Sequence, residues 1–231
     1  PQALRGVVKK VAAARPEVPA LRNVGVAVLA TAQEARSGDR MAAAERSARR
    51  LSHILGEAPN ALARCARTLM NGTVVIIGDS LSVRATLLLN RSQIACVRVV
   101  DGPPSSRNGN LGRELEAEGL ALERIPIRDC LAALQSAQSV LLGCYGFLAD
   151  KTIVCTQGAG ELIESAASRS IPVYVLADTL KLAPWFPENA REDCGLDCVL
   201  QSRVEKIVTE EGVRQPSQLL RQAADLAYRW H

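Results

Sequence analysis

The first third of the chain has the apolar periodicity of α-helices. Apolar residues recur three or four positions apart within residues 18–30, 41–55 and 58–70, which predicts a helix in each stretch. Asn71-Gly72 then supplies a turn signal. We therefore predict an N-terminal helical region over residues 1–70.

From residue 71 onward, short β-branched runs alternate with helical stretches, a pattern typical of βαβ units. The predicted strands are 73–77, 94–100, 122–125, 139–142, 172–177 and 206–208, and the predicted helices are 82–90, 111–118, 129–136, 160–168 and 216–228. Residues 178–200 lack a periodic pattern and are expected to be irregular. The alternation predicts an α/β fold with a mostly parallel sheet, here over residues 71–231.

The loops at the carboxyl ends of the strands are the expected place for chemistry. In sheets of this kind, ligands bind in the crevice beyond those ends. The loops are Gly78-Asp79-Ser80, Asp101-Gly102-Pro103, Gly143-Cys144-Tyr145, Thr156-Gln157-Gly158 and Asp178-Thr179. Asp178 and Lys181 are spaced so that they could form an ion pair at one strand end.

The first loop, around Asp79, Ser80 and Ser82, has two interpretations. Amides and hydroxyls at a helix N-terminus can bind a phosphate. Alternatively, Ser80 or Ser82 caps the helix through its side chain, which stabilises it by about 1 kcal/mol; spacing alone favours this cap. The loop is neither a P-loop nor a G-x-G-x-x-G fingerprint, and no G-x-S-x-G or well-placed His supports a serine triad.

Composition limits the function further. The 23 Arg and five Lys are spread out and not interleaved with aromatic residues, so a DNA-binding surface is not expected. The seven Cys are odd in number and several lie in apolar runs, which indicates free thiols in a reducing compartment. With only two His, neither a metal site nor another cofactor is predicted. No long apolar run or signal peptide is visible, so we expect a cytoplasmic protein without membrane contact.

Trp185 and Phe186 stand between two prolines, in Pro184-Trp185-Phe186-Pro187. An aromatic pair held in an extended segment can anchor a protein partner. It can equally close the end of the sheet. Both interpretations remain open from the sequence.

Five segments together resemble one known family. They are residues 75–87, from Val75-Ile76-Ile77-Gly78-Asp79-Ser80 to Leu87; residues 97–104 with Gly109; residues 141–144 with Gly158; residues 171–187, ending in Lys181-Leu182-Ala183-Pro184-Trp185-Phe186-Pro187; and residues 208–217. Their order and spacing resemble the alpha, beta and delta regulatory subunits of translation initiation factor 2B and two related sugar-phosphate isomerases. These isomerases act on methylthioribose 1-phosphate and ribose 1,5-bisphosphate.

The likeness covers about residues 40–220, and its most specific segment is similar to the beta subunit. It implies an N-terminal helical region followed by a Rossmann-like domain.

The resemblance implies that the isomerase chemistry is absent. The isomerases carry a Cys in the first loop, where this chain has Ser80, whose hydroxyl is too weak an acid for the role. They carry an Asp after the fourth strand, where this chain has Tyr145. An Asn-Lys before Gly158 is replaced by Thr156-Gln157, and an Arg of the second loop by Pro103.

Phosphate binding without turnover could survive these replacements. The candidate residues are Arg22, Asp79, Ser80, Ser82, Gly158 and Lys181. Arg22-Asn23 falls where the isomerases have a phosphate-binding Arg-Gly.

The sequence therefore predicts a non-catalytic, beta-like regulatory subunit of the exchange factor for initiation factor 2. Its expected partners are related subunits and the initiation factor 2 G protein, with a homo- or hetero-dimer formed through the Rossmann-like domain. Two alternatives remain: an isomerase that uses Asp79 with Cys144 or Tyr145, and a sensor that binds a phosphate-bearing small molecule.

Overall fold

Three helices precede the first strand, and strands and helices alternate after it. A computed structural model describes residues 2–101, 111–183 and 195–219. The helices are α1 (Gln2–Ala14), α2 (Pro19–Glu34), α3 (Arg40–Cys65), α4 (Leu81–Leu89), α5 (Leu111–Ala117), α6 (Cys130–Ala133) and α7 (Ala159–Ala167). The strands are β1 (Gly72–Ile77), β2 (Ile94–Asp101), β3 (Leu122–Pro126), β4 (Ser139–Gly143), β5 (Gly146–Leu148), β6 (Thr152–Thr156), β7 (Val173–Leu176), β8 (Leu182–Ala183), β9 (Leu196–Leu200), β10 (Lys206–Thr209) and β11 (Gly212–Arg214).

The main sheet has the strand order β11-β10-β7-β4-β1-β2-β3. Its pairs are parallel except for β10 and β11, which form an antiparallel hairpin at one edge. At the centre, Val74 of β1 lies between Val97 of β2 and Ser139 of β4. This arrangement confirms the predicted α/β class with N-terminal helices and a mostly parallel sheet.

β1 contributes to two cores, one on each face of the main sheet. Val74 and Ile76 face the side covered by α3, α4 and α5, where Leu62 and Leu87 are fully buried. Val75 and Ile77 face the side of α6 and α7. Because both faces are covered, the strand is apolar along its length instead of alternating, as expected for a central parallel strand.

A second sheet, with the order β8-β5-β6-β9, is a correction to the sequence interpretation. Residues 178–200, expected to be irregular, contain β8 and β9. Thr156 ends β6, which belongs to this small sheet and not to the main one. The sequence concealed the sheet because β8 has two residues, β5 has three, and β9 pairs with a strand about 40 residues earlier.

Several helix boundaries also differ from those predicted. The stretches 41–55 and 58–70 form one helix, α3, which continues through Pro59. A proline inside a helix removes one hydrogen bond, but the next turn buries Leu62 and Ala63 completely, which offsets that loss. The helix predicted at 129–136 shortens to Cys130–Ala133. Of the predicted terminal helix, residues 216–219 are helical and the rest lies outside the described residues.

Besides α3, which covers one face of the sheet, α2 also contacts the α/β part. The side-chain amide of Asn23 donates to the carbonyl oxygens of Leu180 (2.6 Å) and Leu182 (2.7 Å). These carbonyls flank Lys181, in the turn that follows β7. The division of the chain into domains at residue 70 stays a prediction. None of the described helices is long and apolar enough to cross a lipid bilayer.

We predict that Asn23→Ala lowers the free energy of unfolding by about 1–3 kcal/mol, because two carbonyl groups lose their donor. The measurement is urea denaturation followed by circular dichroism. Asn60→Ala, at an exposed position of α3, is the matched control and should cost less than about 0.5 kcal/mol. Equal effects of the two substitutions would show that the two hydrogen bonds of Asn23 contribute nothing to the free energy of unfolding.

Candidate functional site

The first loop has the predicted shape but not the predicted cap. Gly78 ends β1 with φ +77°, and a Cβ there would lie 2.9 Å from Thr156 Cγ2, so the turn requires glycine. Ser80 occupies the N-cap position of α4, but its side chain makes no capping hydrogen bond. The expectation of a side-chain cap at Ser80 was therefore wrong.

Ser80 instead lies against the neighbouring strand. A Cβ added to Gly143, the last residue of β4, would collide with Ser80 Oγ. β4 lies beside β1 in the main sheet, whereas β2 and β3, which follow β1 in sequence, lie on its other side. The strand order therefore reverses between β1 and β4, and α/β proteins bind ligands at such a switch point. The Ser80 side chain occupies the space that the missing Gly143 side chain leaves.

Asp79 is neutralised by its own helix. Arg84 Nη2 lies 3.2 Å from Asp79 Oδ1, and Arg84 Nη1 lies 2.8 Å from Glu114 Oε2 of α5. Arg84 thus bridges the Asp79 carboxylate of the first loop and the Glu114 carboxylate of α5. Ser82 is 5% exposed, and its carbonyl accepts a hydrogen bond from the Thr86 hydroxyl. Phosphate binding by Asp79 and Ser82 stays a prediction.

Cys144 and Tyr145 both pack against other residues of the protein. Burial raises the pKa of the Cys144 thiol to about 11, although nearby Lys181 opposes the shift. Burial also raises the pKa of Cys155 well above its ordinary value. Tyr145 donates its backbone N–H to the Val154 carbonyl and packs against Leu148, Val154 and Ala183 of the small sheet. The structure therefore gives no support to acid–base chemistry by this group.

Asp178 and Lys181 form the predicted ion pair. Lys181 Nζ lies 3.5 Å from Asp178 Oδ2, and the Asp178 side chain is only 9% exposed. Burial raises the pKa of Asp178; Lys181 acts in the opposite direction, and Glu210 adds to the rise. Glu210 is held by the backbone N–H and hydroxyl of Thr179. Lys181 thus has a carboxylate partner within the protein.

The N-terminus of α7 is capped by a residue that sequence reasoning missed. Gly158 takes the N-cap position with φ +90°, and the backbone N–H of Gly160, two residues later, donates to Asp197 Oδ2 at 2.8 Å. An acidic side chain here takes one first-turn amide and lies at the positive end of the helix dipole, which would otherwise attract a phosphate. No local signal could have revealed it, because Asp197 lies 37 residues later on the unpredicted strand β9.

Arg22 lies apart from the other candidates, in a cleft of about 310 Å³. The cleft is lined by Ala12, Arg15, Pro16, Val18, Pro19, Arg22, Asn23 and Ala183. Partial burial lowers the pKa of Arg22. Of the six predicted phosphate ligands, Arg22 alone lines this cleft, while the other five lie at the ends of β1, β7 and β6.

Two further predictions concern metals and partners. Among residues 2–101, 111–183 and 195–219, no group of three or more His, Cys, Asp or Glu could hold a metal ion. Trp185 and Phe186, the predicted partner anchors, lie outside the described residues.

We predict that Gly143→Ala destabilises the fold by about 1–3 kcal/mol, because the new Cβ meets Ser80. Ser80→Gly should recover most of that loss in the double variant, as measured by denaturant unfolding. Gly56→Ala, where no atom lies within 4 Å, is the control and should be stabilising by up to about 1 kcal/mol. Additive effects of Gly143→Ala and Ser80→Gly would contradict the proposed contact.

We also predict that Cys144 resists alkylation while the protein is folded. With a pKa of about 11, raised by burial from 9.0, its thiol is protonated at neutral pH. Because the pKa of this thiol is higher in the folded than in the unfolded protein, its protonation contributes fully to stability below the pKa of the unfolded protein. That contribution is lost as the pH rises towards the pKa of the folded protein. Iodoacetamide and peptide mass spectrometry should show modification of exposed Cys198 first, with Cys144 modified only in denaturant. Equal labelling rates in the folded protein would refute this assignment.

Comparisons with known proteins agree on one family. A model described as the initiation factor 2 subunit family matches residues 2–196. The Pyrococcus horikoshii OT3 translation initiation factor eIF-2B superposes with a TM-score of 0.80 at 20% identity, covering 94% of this chain and 83% of that one. No curated protein matches the chain.

Two fungal structures share the fold as well. A chain of the tetrameric eIF2B-beta2-delta2 complex from C. thermophilum gives a TM-score of 0.81 at 17% identity, covering 96% of this chain and 79% of that one. The eIF2B beta structure from Chaetomium thermophilum gives 0.73 at 17% identity, with the same coverages. At these identities the superpositions establish the Rossmann-like fold with its N-terminal helices, and the family model extends over most of the sequence. The chain belongs to the initiation factor 2 subunit family.

Proposed function

We propose that this protein is a non-catalytic regulatory subunit of the initiation factor 2B type, acting by binding other proteins. The family match over residues 2–196 carries the proposal. The superposed C. thermophilum chain comes from a complex described as a beta2-delta2 tetramer, so this fold does occur in an assembly of related subunits. By analogy, the partners here are related subunits and the initiation factor 2 G protein, in the cytoplasm.

The side chains at the strand ends support a binding role over catalysis. Asp79 is paired with Arg84, Asp178 with Lys181, and the α7 amide of Gly160 with Asp197. Cys144, the thiol nearest the switch point, is buried and protonated. An aldose–ketose isomerase needs an acid and a base that reach the substrate, and these groups instead satisfy one another.

Assembly through the Rossmann-like part is the expected mode. We infer a homo- or hetero-dimer formed there, with the Trp185-Phe186 segment as the first surface to mutate. A single chain of this fold that acts by binding requires a partner surface, and a stable interface buries about 800 Å² on each side.

A phosphate sensor without turnover is the second candidate. Its support is the Arg22 cleft, whose volume of about 310 Å³ is at the lower end of the range for small-molecule sites. Arg22 supplies the positive charge there, and Asn23 lies beside it.

The test is native mass spectrometry of the endogenous protein, tagged and purified gently from its own cytosol. The expected result is an assembly with related subunits and the initiation factor 2 G protein. Incubation with methylthioribose 1-phosphate or ribose 1,5-bisphosphate should give no product. Recovery as a stable monomer, or as a homo-oligomer that turns over either sugar phosphate, would refute the proposal. A homo-oligomer with a retained phosphate compound and no turnover would favour the sensor.

A further inference from the structure

The first helix leaves part of its apolar side uncovered. α1 has no buried residue, and Val7 and Val11 are 56% and 44% exposed. Val8 contacts α2, because a Cβ on Gly25 would lie 2.6 Å from Val8 Cγ1, and Leu4 packs against the cluster of Val28, Ala32 and Ala44. At helical spacing, Leu4, Val7 and Val11 form one stripe beside that contact.

The stripe begins beside a small apolar hollow where α1, α2 and α3 meet. The hollow has a volume of about 60 Å³ and is lined by Leu4, Leu29, Ala32, Arg40 and Met41, among others. Met41, the second residue of α3, is 72% exposed at its rim. A hollow of this size matches one aliphatic side chain, which is how helix partners are anchored in grooves.

The surroundings of the hollow are positively charged. Residues 1–70 contain twelve Lys and Arg against five Asp and Glu, a net +7, whereas residues 71–231 contain 16 against 19, a net −3. α1 carries Arg5, Lys9 and Lys10, all exposed, and no acidic residue. Within the described part of the chain, Nε of Arg40 has no hydrogen-bond acceptor.

We propose that this α1 docking surface, formed by Leu4, Val7, Val11, Arg40 and Met41, binds an acidic amphipathic helix of a partner protein. An apolar side chain of that helix enters the hollow, and its carboxylates face Arg40 and the cations of α1. The proposal does not depend on the exchange-factor role.

Charge and side-chain size favour an acidic helix over a second copy of the chain or a lipid surface as the occupant of this surface. A second copy of the chain would bring the same excess of positive charge into the contact, which is repulsive. A lipid surface is normally bound through large side chains such as Trp, Phe and Leu, whereas the exposed members of the stripe, Val7 and Val11, are small, and residues 1–70 contain no Phe, Trp or Tyr.

The probe is a synthetic acidic peptide of about three heptads, with Leu at the a and d positions and Glu elsewhere. Binding to the full chain is followed by fluorescence anisotropy. We expect saturable binding that weakens as salt is added. A scrambled peptide of the same composition and a Leu/Lys peptide of the same pattern should bind at least roughly tenfold more weakly.

Substitutions then locate the site. Met41→Glu should weaken binding of the acidic peptide by roughly tenfold or more, while Leu200→Glu, at a 59% exposed position of β9, should leave it unchanged. Both positions are exposed, so circular dichroism should show an intact fold. Equal binding of the scrambled peptide, or an equal response to the two substitutions, would overturn the proposal. So would tight binding to anionic vesicles, or self-association that Met41→Glu abolishes, because the occupant would then be a membrane or a second copy.

Discussion

The burial of β1 is the constraint on which the rest of the structure depends. Its four residues from Val74 to Ile77 are almost completely excluded from solvent, and successive side chains point to opposite faces of the sheet. Two helical layers are therefore needed to cover one strand. α3, which leads into β1, and α4, which leaves it, pack side by side on the same face. The longest helix of the described chain is thus part of the α/β core, although it belongs in sequence to the N-terminal third.

The carboxyl edge of that sheet has the outline of an active site, and several of its charged and polar groups are paired within the chain. Arginine neutralises Asp79, lysine neutralises Asp178, and an aspartate from the small sheet takes an amide at the start of α7. Buried or half-buried charges that are paired within the chain cost less than charges waiting for a ligand. The three pairs therefore fix the positions of the loops at the strand ends relative to one another.

The sequence predicted the parts of the fold that have a local signal. The strands at 73–77, 94–100 and 139–142 were recognisable because buried parallel strands are short, β-branched and bounded by turns. The small sheet was missed because β5 and β8 have only three and two residues and because the pairing of β6 with β9 and of β5 with β8 joins distant segments. At the site, the ion pair of Asp178 and Lys181 followed from their spacing, whereas the Ser80 cap was wrong. The loop residues allow both a cap and a contact with β4, and only the position of Gly143 decides between them.

The two hydrogen bonds of Asn23 also connect α2 to the turn that follows β7, so that the helix and this end of the sheet are coupled. The amide holds the carbonyls on both sides of Lys181, and the same short turn carries Thr179, which binds Glu210. A shift of α2 must either break both bonds or move this turn with it. Since α1 packs on α2, the first helix is connected to the carboxyl edge of the sheet through α2 and its Asn23 side chain. The chain therefore contains a continuous packed connection between its outermost helix and the ends of its central strands.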